Sequence, residues 1–379
     1  MLSLKHWACI HKWTSLICTL FMLLLCLTGL PLIFADEIDQ ALGRHINPPK
    51  GLETQARVSV DTIVSAAQRL RPKDAVQFLS TDADEKDVWF VRMGKTVAAD
   101  EASAFYSFDA RTGALLGEYP LDTGLMNIIL RLHIDLFAGL WGTLFLGLMG
   151  VLLMVSLVSG VVLYAPFMRK LAFGTVRYQQ SSRLLWLDWH NLIGIVTLIW
   201  FLVVGFTGVV NTLATPIFSQ WQHSQLAQML MPYQETTLSD VHVPVQTIVS
   251  AANTAIAHKT LSFLAFPGNP FAGKHHFVAY LQGTTPLTAK LLTPVIIDAH
   301  TGSVVASAEL PVYVTALLIA KPLHFGDYGG LPLKIIWALL DALAIWLLVS
   351  GLVLWWKKRN TPFAGRMATQ LGNSAHNSL

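Results

Sequence analysis

The sequence predicts an α-helical membrane protein with four transmembrane helices, arranged as two parallel repeats of helix, α/β domain and helix. Of its 379 residues, 53% are hydrophobic and only 13% are charged, whereas soluble domains carry about 25% charged residues. Four apolar runs reach the length of about 20 residues that a helix needs to cross a hydrocarbon core. In addition, histidines recur in both halves of the chain at the same distances from Thr-Gly and Ser-Gly pairs.

The apolar runs are roughly 13–35, 138–165, 190–213 and 331–356, and they divide the chain into eight segments. The expected transmembrane helices are 1–35, 138–165, 190–213 and 331–356. The expected outward segments are 36–137 and 214–330, and the expected cytoplasmic ones are the loop 166–189 and the tail 357–379. The first run is too long for the apolar core of a signal peptide and resembles the internal third run, so we expect a retained helix.

Lysines and arginines near the ends of the spans predict the orientation, because cytoplasmic loops carry an excess of these residues. They cluster in 1–12, 166–189 and 357–379, whereas nearly all acidic residues lie in 36–137 and 214–330. We therefore expect a four-pass protein with both termini in the cytoplasm. The net charge of +3 is too slight to indicate a nucleic-acid partner.

The two outward segments are predicted to share one plan of a helix followed by strands. The expected helices are 58–70 and 243–252. The expected strands are 77–80, 88–93, 105–109, 114–119, 261–266, 275–281 and 292–297. Asp-Ala-x-Thr-Gly occurs at 109–113 and again at 298–302, which predicts matching hairpin turns. The stretch 214–240 has the pattern of an amphipathic helix lying on the outer membrane surface.

Two histidines recur at one spacing on the first and third spans. His11 precedes Thr28-Gly29 by 17 and 18 residues, and His190 precedes Thr207-Gly208 by the same distances. Both histidines are expected to open their helices at the cytoplasmic face. A duplicated histidine at a helix end indicates more than an ordinary interface residue, because the surrounding sequence differs while these positions agree.

A second pair of histidines recurs before the second and fourth spans. His133 precedes Ser159-Gly160 by 26 and 27 residues, and His324 stands at the same distances from Ser350-Gly351. Parallel repeats are related by an axis along the membrane normal, so equivalent residues face each other at one depth. The sequence therefore predicts two opposed imidazole pairs, one at each membrane face, about 26 Å apart along the helix.

Opposed imidazoles are what a six-coordinate haem iron requires, with one neutral ring above and one below. We therefore predict two b-type haems, one held by His11 and His190 and the other by His133 and His324. A metal ion bound directly by these side chains is the weaker alternative, because each level offers only two imidazoles and no cysteine nearby. The small residues of the Thr-Gly and Ser-Gly pairs would allow a macrocycle or a helix to approach closely.

Haem propionates need cationic partners, and Arg131 and Lys321 stand two and three residues before the outward histidines. Lys12 and Arg183 are the candidates at the cytoplasmic level. Cations of this kind also occur at any membrane interface, where their stems extend along apolar surface and the charge stays in water. Both interpretations remain open for these residues.

Three further features of the sequence concern the two tryptophans, Asp341 and the cysteines, and the first two allow more than one interpretation. Trp7 and Trp186 stand four residues before a ligand candidate, and packing on a macrocycle and anchoring at the membrane interface are equally compatible with them. Asp341 lies within the fourth span, where a carboxyl group either donates a hydrogen bond or relays a proton. The three cysteines of the first helix are interpreted as small core residues.

The chain resembles the PepSY-associated transmembrane family, also called iron-regulated inner-membrane proteins. The resemblance rests on both Asp-Ala-x-Thr-Gly turns, the Thr-Gly pairs, and the runs Leu132-His133, Ser159–Leu163 and Ser350–Trp355. It implies that the outward segments are PepSY-like domains in the periplasm and that the protein lies in the bacterial inner membrane. In size and layout the chain is similar to the inner-membrane siderophore reductases of this family.

That resemblance implies a haem-dependent oxidoreductase that reduces ferric siderophore complexes in the periplasm so that iron is released. Some family members carry a fused flavodoxin-type reductase domain, whereas this chain ends in a short polar tail after Arg359. The electron donor is therefore expected to be separate, either a cytoplasmic protein or a quinol. The alternative function is a haem-free membrane anchor whose PepSY-like domains bind or regulate a protein partner.

Overall fold

The computed structural model describes residues 2–42, 54–82, 85–121, 123–168, 171–233 and 243–359. Its helices are α1 (Leu4–Ile33), α2 (Ala35–Ala41), α3 (Val60–Leu70), α4 (Leu125–Ile134), α5 (Gly139–Met168), α6 (Ser182–Thr212), α7 (Ala214–Trp221), α8 (Ala227–Leu230), α9 (Val245–Ala255), α10 (Val312–Phe325) and α11 (Gly330–Arg359). Its strands are β1 (Ala75–Thr81), β2 (Val88–Gly94), β3 (Ala104–Asp109), β4 (Leu115–Glu118), β5 (Lys259–Ala265), β6 (His276–Gly283), β7 (Leu292–Asp298) and β8 (Val304–Ser307). The expected tail beyond residue 359 and parts of the predicted segments 36–137, 166–189 and 214–330 lie outside the described residues.

The chain forms two compact units. The helix unit comprises Met1–Ile33, Leu132–Thr212 and His324–Leu379, and the sheet unit comprises Phe34–Arg131 and Leu213–Leu323.

The helix unit is built from α1, α5, α6 and α11, which are each long and apolar enough to cross a membrane. Helix α1 packs against α5 and α11, and α6 packs against the same two helices. This places α1 and α6 at opposite corners of the bundle. Its interior is apolar and contains Cys18, Met22, Met149, Leu153, Trp200, Phe201, Ala344, Leu347 and Leu348.

Two of the long helices begin earlier than their apolar runs. Helix α1 starts at Leu4 and α6 at Ser182, so His11 and His190 lie inside helices and do not open them as predicted. Hydropathy marks only the part of a helix that lies in hydrocarbon, whereas the helix itself continues through its polar interfacial turns. The sequence also missed α4 and α10, the short helices that carry His133 and His324.

The eight strands in the described part of the sheet unit belong to one antiparallel sheet, in the order β4-β3-β2-β1-β5-β6-β7-β8. The two halves meet where β1 pairs with β5 through Phe78–Ala265, Leu79–Leu264 and Ser80–Phe263. The sequence predicted a domain in each outward segment, but the structure joins their strands. The pairing satisfies backbone groups that would otherwise be left open at two sheet edges.

The two faces of the sheet are covered differently. On one face α3 and α9 bury Ile63, Ala67, Ile248 and Ala252 against the strands. On the other face the segment from α7 to α8 buries apolar side chains against the second half of the sheet; these are Trp221, Leu226 and Leu230. The prediction of a membrane-surface helix at 214–240 is therefore wrong for its described part, because its apolar residues form a protein core.

The helices α3 and α9 cap each other at their N-termini. The Asp61 carboxylate accepts hydrogen bonds from the backbone N–H groups of Val245 at 2.7 Å and Gln246 at 3.1 Å. In return, the Gln246 side chain accepts from the backbone N–H of Val60 at 3.0 Å. Pro244 at the N-cap of α9 makes no side-chain cap of its own, so Asp61 satisfies amides that the first turn leaves without partners.

We predict that Asp61→Ala lowers the free energy of unfolding of the sheet unit by about 1–2 kcal/mol, the usual cost of losing an N-cap. Unfolding of the purified protein in detergent, followed by tryptophan fluorescence, measures the change. Glu101→Ala, at an exposed position, is the control and should unfold like the wild type. Equal stability of the two variants would contradict the capping role.

Candidate functional site

The histidines of the matched pairs come together at two levels of the helix unit. At one level the imidazole rings of His133 and His324 have centroids 6.2 Å apart and an interplanar angle of 64°. A metal–imidazole bond of about 2 Å, with the nitrogen about 1.1 Å from the ring centre, puts two axial rings about 6.3 Å apart. The observed separation therefore suits two imidazoles on opposite sides of one metal ion.

The other level contains His11 on α1 and His190 on α6, whose helices occupy opposite corners of the bundle. Both levels thus contain one histidine from each half of the chain. His11 stands 17 residues before Thr28 on α1, and Thr28 contacts the other level, so the levels are about 26 Å apart along the helix.

Each histidine is held by a Thr-Gly or Ser-Gly pair on a neighbouring helix, and we call such a pair a seat. The Nδ1–H of His11 donates to the Ser156 carbonyl at 2.9 Å and lies 3.2 Å from the Ser159 hydroxyl on α5. The Nδ1–H of His190 donates to the Ser350 hydroxyl on α11 at 2.7 Å.

The other level repeats this arrangement with threonine. The Nδ1–H of His133 donates to the Thr28 hydroxyl on α1 at 3.0 Å. The Nδ1–H of His324 donates to the Val204 carbonyl at 3.0 Å and lies 3.3 Å from the Thr207 hydroxyl on α6. Helix α5 therefore holds the histidine of α1, and α1 holds that of α4, the short helix before α5. Helices α11, α6 and α10 repeat this arrangement.

The seats determine which ring nitrogen carries the proton. Each hydroxyl already donates its hydrogen to a carbonyl of its own helix: Thr28 to Leu24, Ser159 to Ser156, Thr207 to Val203 and Ser350 to Leu347. A hydroxyl has one hydrogen and a carbonyl has none, so Nδ1 of every histidine must be the donor. Among the described residues none hydrogen-bonds to Nε2, whose lone pair is left for a ligand.

The glycine of each seat makes room for the imidazole. A Cβ atom added at Gly29, Gly160 or Gly208 would stand 3.1–3.2 Å from the Cε1 atom of the seated ring. At Gly351 the same distance to His190 is 3.6 Å, which is an ordinary contact. The sequence predicted that these glycines allow close approach, and in the structure the approaching group is the histidine.

Burial keeps the histidines of the short helices neutral. Desolvation lowers the pKa of His133 to about 4, and the neighbouring His324 lowers it in the same direction. Desolvation also lowers the pKa of His324. A neutral imidazole with a free Nε2 lone pair is the form that binds a metal ion.

The remaining candidates lie around this framework. Arg131 and Lys321 are on the same short helices as His133 and His324, Arg131 half-buried and Lys321 exposed. Lys12 lies 4.4 Å from the centre of the Trp13 ring. Trp186 stacks on Trp346 of α11, with centroids 5.5 Å apart.

Asp341 is buried, at 5% exposure. Its Oδ2 atom has no hydrogen-bond partner among the described residues. The described residues of the chain contain no group of three or more His, Cys, Asp or Glu side chains arranged to hold a metal ion. The chemistry that this unit offers is thus two imidazoles per level.

The sequence missed the pairing of seat and histidine. Both halves of the signal were present, because each repeat contains a His–Thr-Gly spacing of 17 and a His–Ser-Gly spacing of 26. Two antiparallel helices bring the start of one to the end of the other, so a histidine near one start meets the seat near the other end. The sequence analysis assigned the small residues to the close approach of a macrocycle or a helix, and it gave the hydroxyl groups no partner.

Comparison with known proteins gives two findings. A family model described as the PepSY-associated TM region matches residues 8–358, a range that includes all four histidines and all four seats. An uncharacterized protein of Pseudomonas aeruginosa is 38% identical over 88 residues, which are 23% of this chain and 22% of that protein. The chain therefore matches about a fifth of the length of this relative.

Gly160 and Gly351 lie at different distances from their histidine rings, so replacing each by alanine should have different effects. Gly160→Ala forces the His11 ring or α5 to move by a few tenths of an ångström, and overpacking of this kind costs about 1–3 kcal/mol. Gly351→Ala meets an ordinary contact and should be nearly neutral. Thermal unfolding of the two variants in detergent makes the comparison, and equal losses would contradict the seat geometry.

Proposed function

Because the chain belongs to the family of the PepSY-associated TM region, we propose that it is a di-haem membrane protein of the bacterial inner membrane. It carries electrons across the membrane and reduces ferric siderophore complexes in the periplasm, which releases the iron. One observation carries the proposal: all four matched histidines have Nδ1 bound to a seat and Nε2 left for a ligand.

The residues of the site fit two b-type haems. His133 and His324 would hold one iron and His11 and His190 the other, and the ring separation of 6.2 Å at the first level matches axial ligation. When bound, haem supplies a centre that accepts and releases one electron at a time.

The chain itself positions and insulates these groups. The seats hold each imidazole in one tautomer and one orientation, as residues behind a metal ligand generally do. The apolar interior around Met22, Met149 and Leu347 excludes water from the region between the two levels. Arg131 and Lys321 are our candidates for the propionates of the haem at the His133–His324 level.

The direction of transfer follows from the proposed topology. The lysines and arginines of 1–12, 166–189 and the tail put His11 and His190 at the cytoplasmic face. Electrons then enter at that level from a cytoplasmic protein or a quinol and leave at the level of His133 and His324. The ferric chelate takes up one electron and becomes ferrous, which weakens its hold on the metal.

We predict that the purified protein has a reducible Soret band and about two haems per chain. His324→Ala removes an axial ligand of one iron, so it should lose the haem of that level and keep the other. Haem content and the reduced-minus-oxidised spectrum measure this, with His223→Ala, an exposed histidine, as the control.

Two outcomes would count against the proposal. Equal loss of both haems in His324→Ala would contradict separate levels. A colourless wild-type preparation would favour the alternative function, a haem-free anchor whose PepSY-like domains bind or regulate a protein partner.

The sidedness of the reaction is a separate prediction. In proteoliposomes with one orientation and reductant supplied at the proposed cytoplasmic side, a membrane-impermeant ferric siderophore should be reduced only on the opposite side. A ferrous-specific chelator reports the product on each side. Reduction confined to the side of the reductant would contradict the proposed topology, and liposomes with the His324→Ala variant provide the background rate.

A further inference from the structure

We propose that Thr28, Ser159, Thr207 and Ser350 are positioning residues that set the redox potential of each haem separately, one pair of hydroxyls per level. This inference rests on the proposed function, because it assigns a role toward the haems. It concerns the side of each imidazole that faces away from the iron.

Each of the four seats places a hydroxyl at Nδ1 of its histidine. At His11 and His324 the carbonyls of Ser156 and Val204, three residues before the seat hydroxyl, accept as well. At His133 and His190 the seat hydroxyl itself is the acceptor, at 3.0 Å from Thr28 and 2.7 Å from Ser350. Every Nδ1–H therefore faces a seat hydroxyl.

A buried threonine with the same backbone bond, but without a histidine, shows what is special about a seat. Thr197 on α6 is fully buried and its hydroxyl donates to the Ile193 carbonyl at 2.7 Å. Thr207 donates to the Val203 carbonyl at the same distance and in addition receives the Nδ1–H of His324. Bonding to its own helix is thus common to both threonines, and the contact with the histidine distinguishes the seat.

A hydrogen-bond acceptor on Nδ1–H makes the imidazole a stronger electron donor through Nε2, because it draws the proton away from the ring. A more basic axial ligand stabilises ferric over ferrous iron and lowers the potential. Removing a seat hydroxyl takes an acceptor away from Nδ1–H, so the potential of the haem at that level should rise. The haem at the other level keeps its own pair of seats and should not change.

Redox titration of the purified holoprotein, followed at the haem absorption bands, tests the inference. Thr207→Val removes the hydroxyl facing His324, and Ser350→Ala removes the one facing His190. Each variant should raise one of the two midpoint potentials and leave the other at its wild-type value. Thr197→Val is the matched control and should change neither.

The conservative exchanges Thr207→Ser and Ser350→Thr keep a hydroxyl and should restore the wild-type potentials. Unchanged potentials in both Thr207→Val and Ser350→Ala, with two haems bound, would overturn the inference while leaving the proposed function intact. Equal shifts of both potentials in either variant would also overturn it. A wild-type protein without haem is a different result, because it refutes the proposed function itself.

Discussion

The hydrogen bond from each histidine Nδ1–H to a seat on the neighbouring helix is the interaction on which the helix unit depends. It fixes the depth, the orientation and the tautomer of four imidazoles at once. It also joins α1 to α5 and α6 to α11 at one level, and α1 to the short helix α4 and α6 to the short helix α10 at the other. A buried Nδ1–H without an acceptor would be costly in this environment, so the seats and the histidines require each other.

The seats combine two properties that one residue type could not supply. The hydroxyl provides an acceptor after its own hydrogen has been used on the helix backbone, and the glycine removes the Cβ that would collide with the ring. At Gly29, Gly160 and Gly208 the space is tight, whereas Gly351 leaves His190 about half an ångström more. The four seats thus offer the same hydrogen-bond acceptor, but the glycine position of only one, Gly351, has room for an added Cβ atom.

Much of this arrangement could be predicted from the sequence, since hydropathy located the four spans and spacing located the four histidines and their pairing across the two halves. Seven of the eight described strands and the two Asp-Ala-x-Thr-Gly turns were also predictable, because alternation and turn residues are local signals, whereas the short β8 was missed. Two features that were missed or misread are not local: the pairing of β1 with β5 joins segments about 180 residues apart, and the burial of Trp221 and Leu226 depends on the sheet that covers them. The early starts of α1 and α6 were missed because they lie in polar turns that hydropathy ignores.

The central claim is that two opposed imidazoles bind one iron at each of two levels. Electron paramagnetic resonance of the oxidised protein at low temperature tests this most directly, because it reports the axial ligands and spin state of each ferric haem. We predict two low-spin signals typical of bis-imidazole ligation, which together account for about two haems per chain. A high-spin signal from the wild-type protein, or a single low-spin haem per chain, would contradict the account.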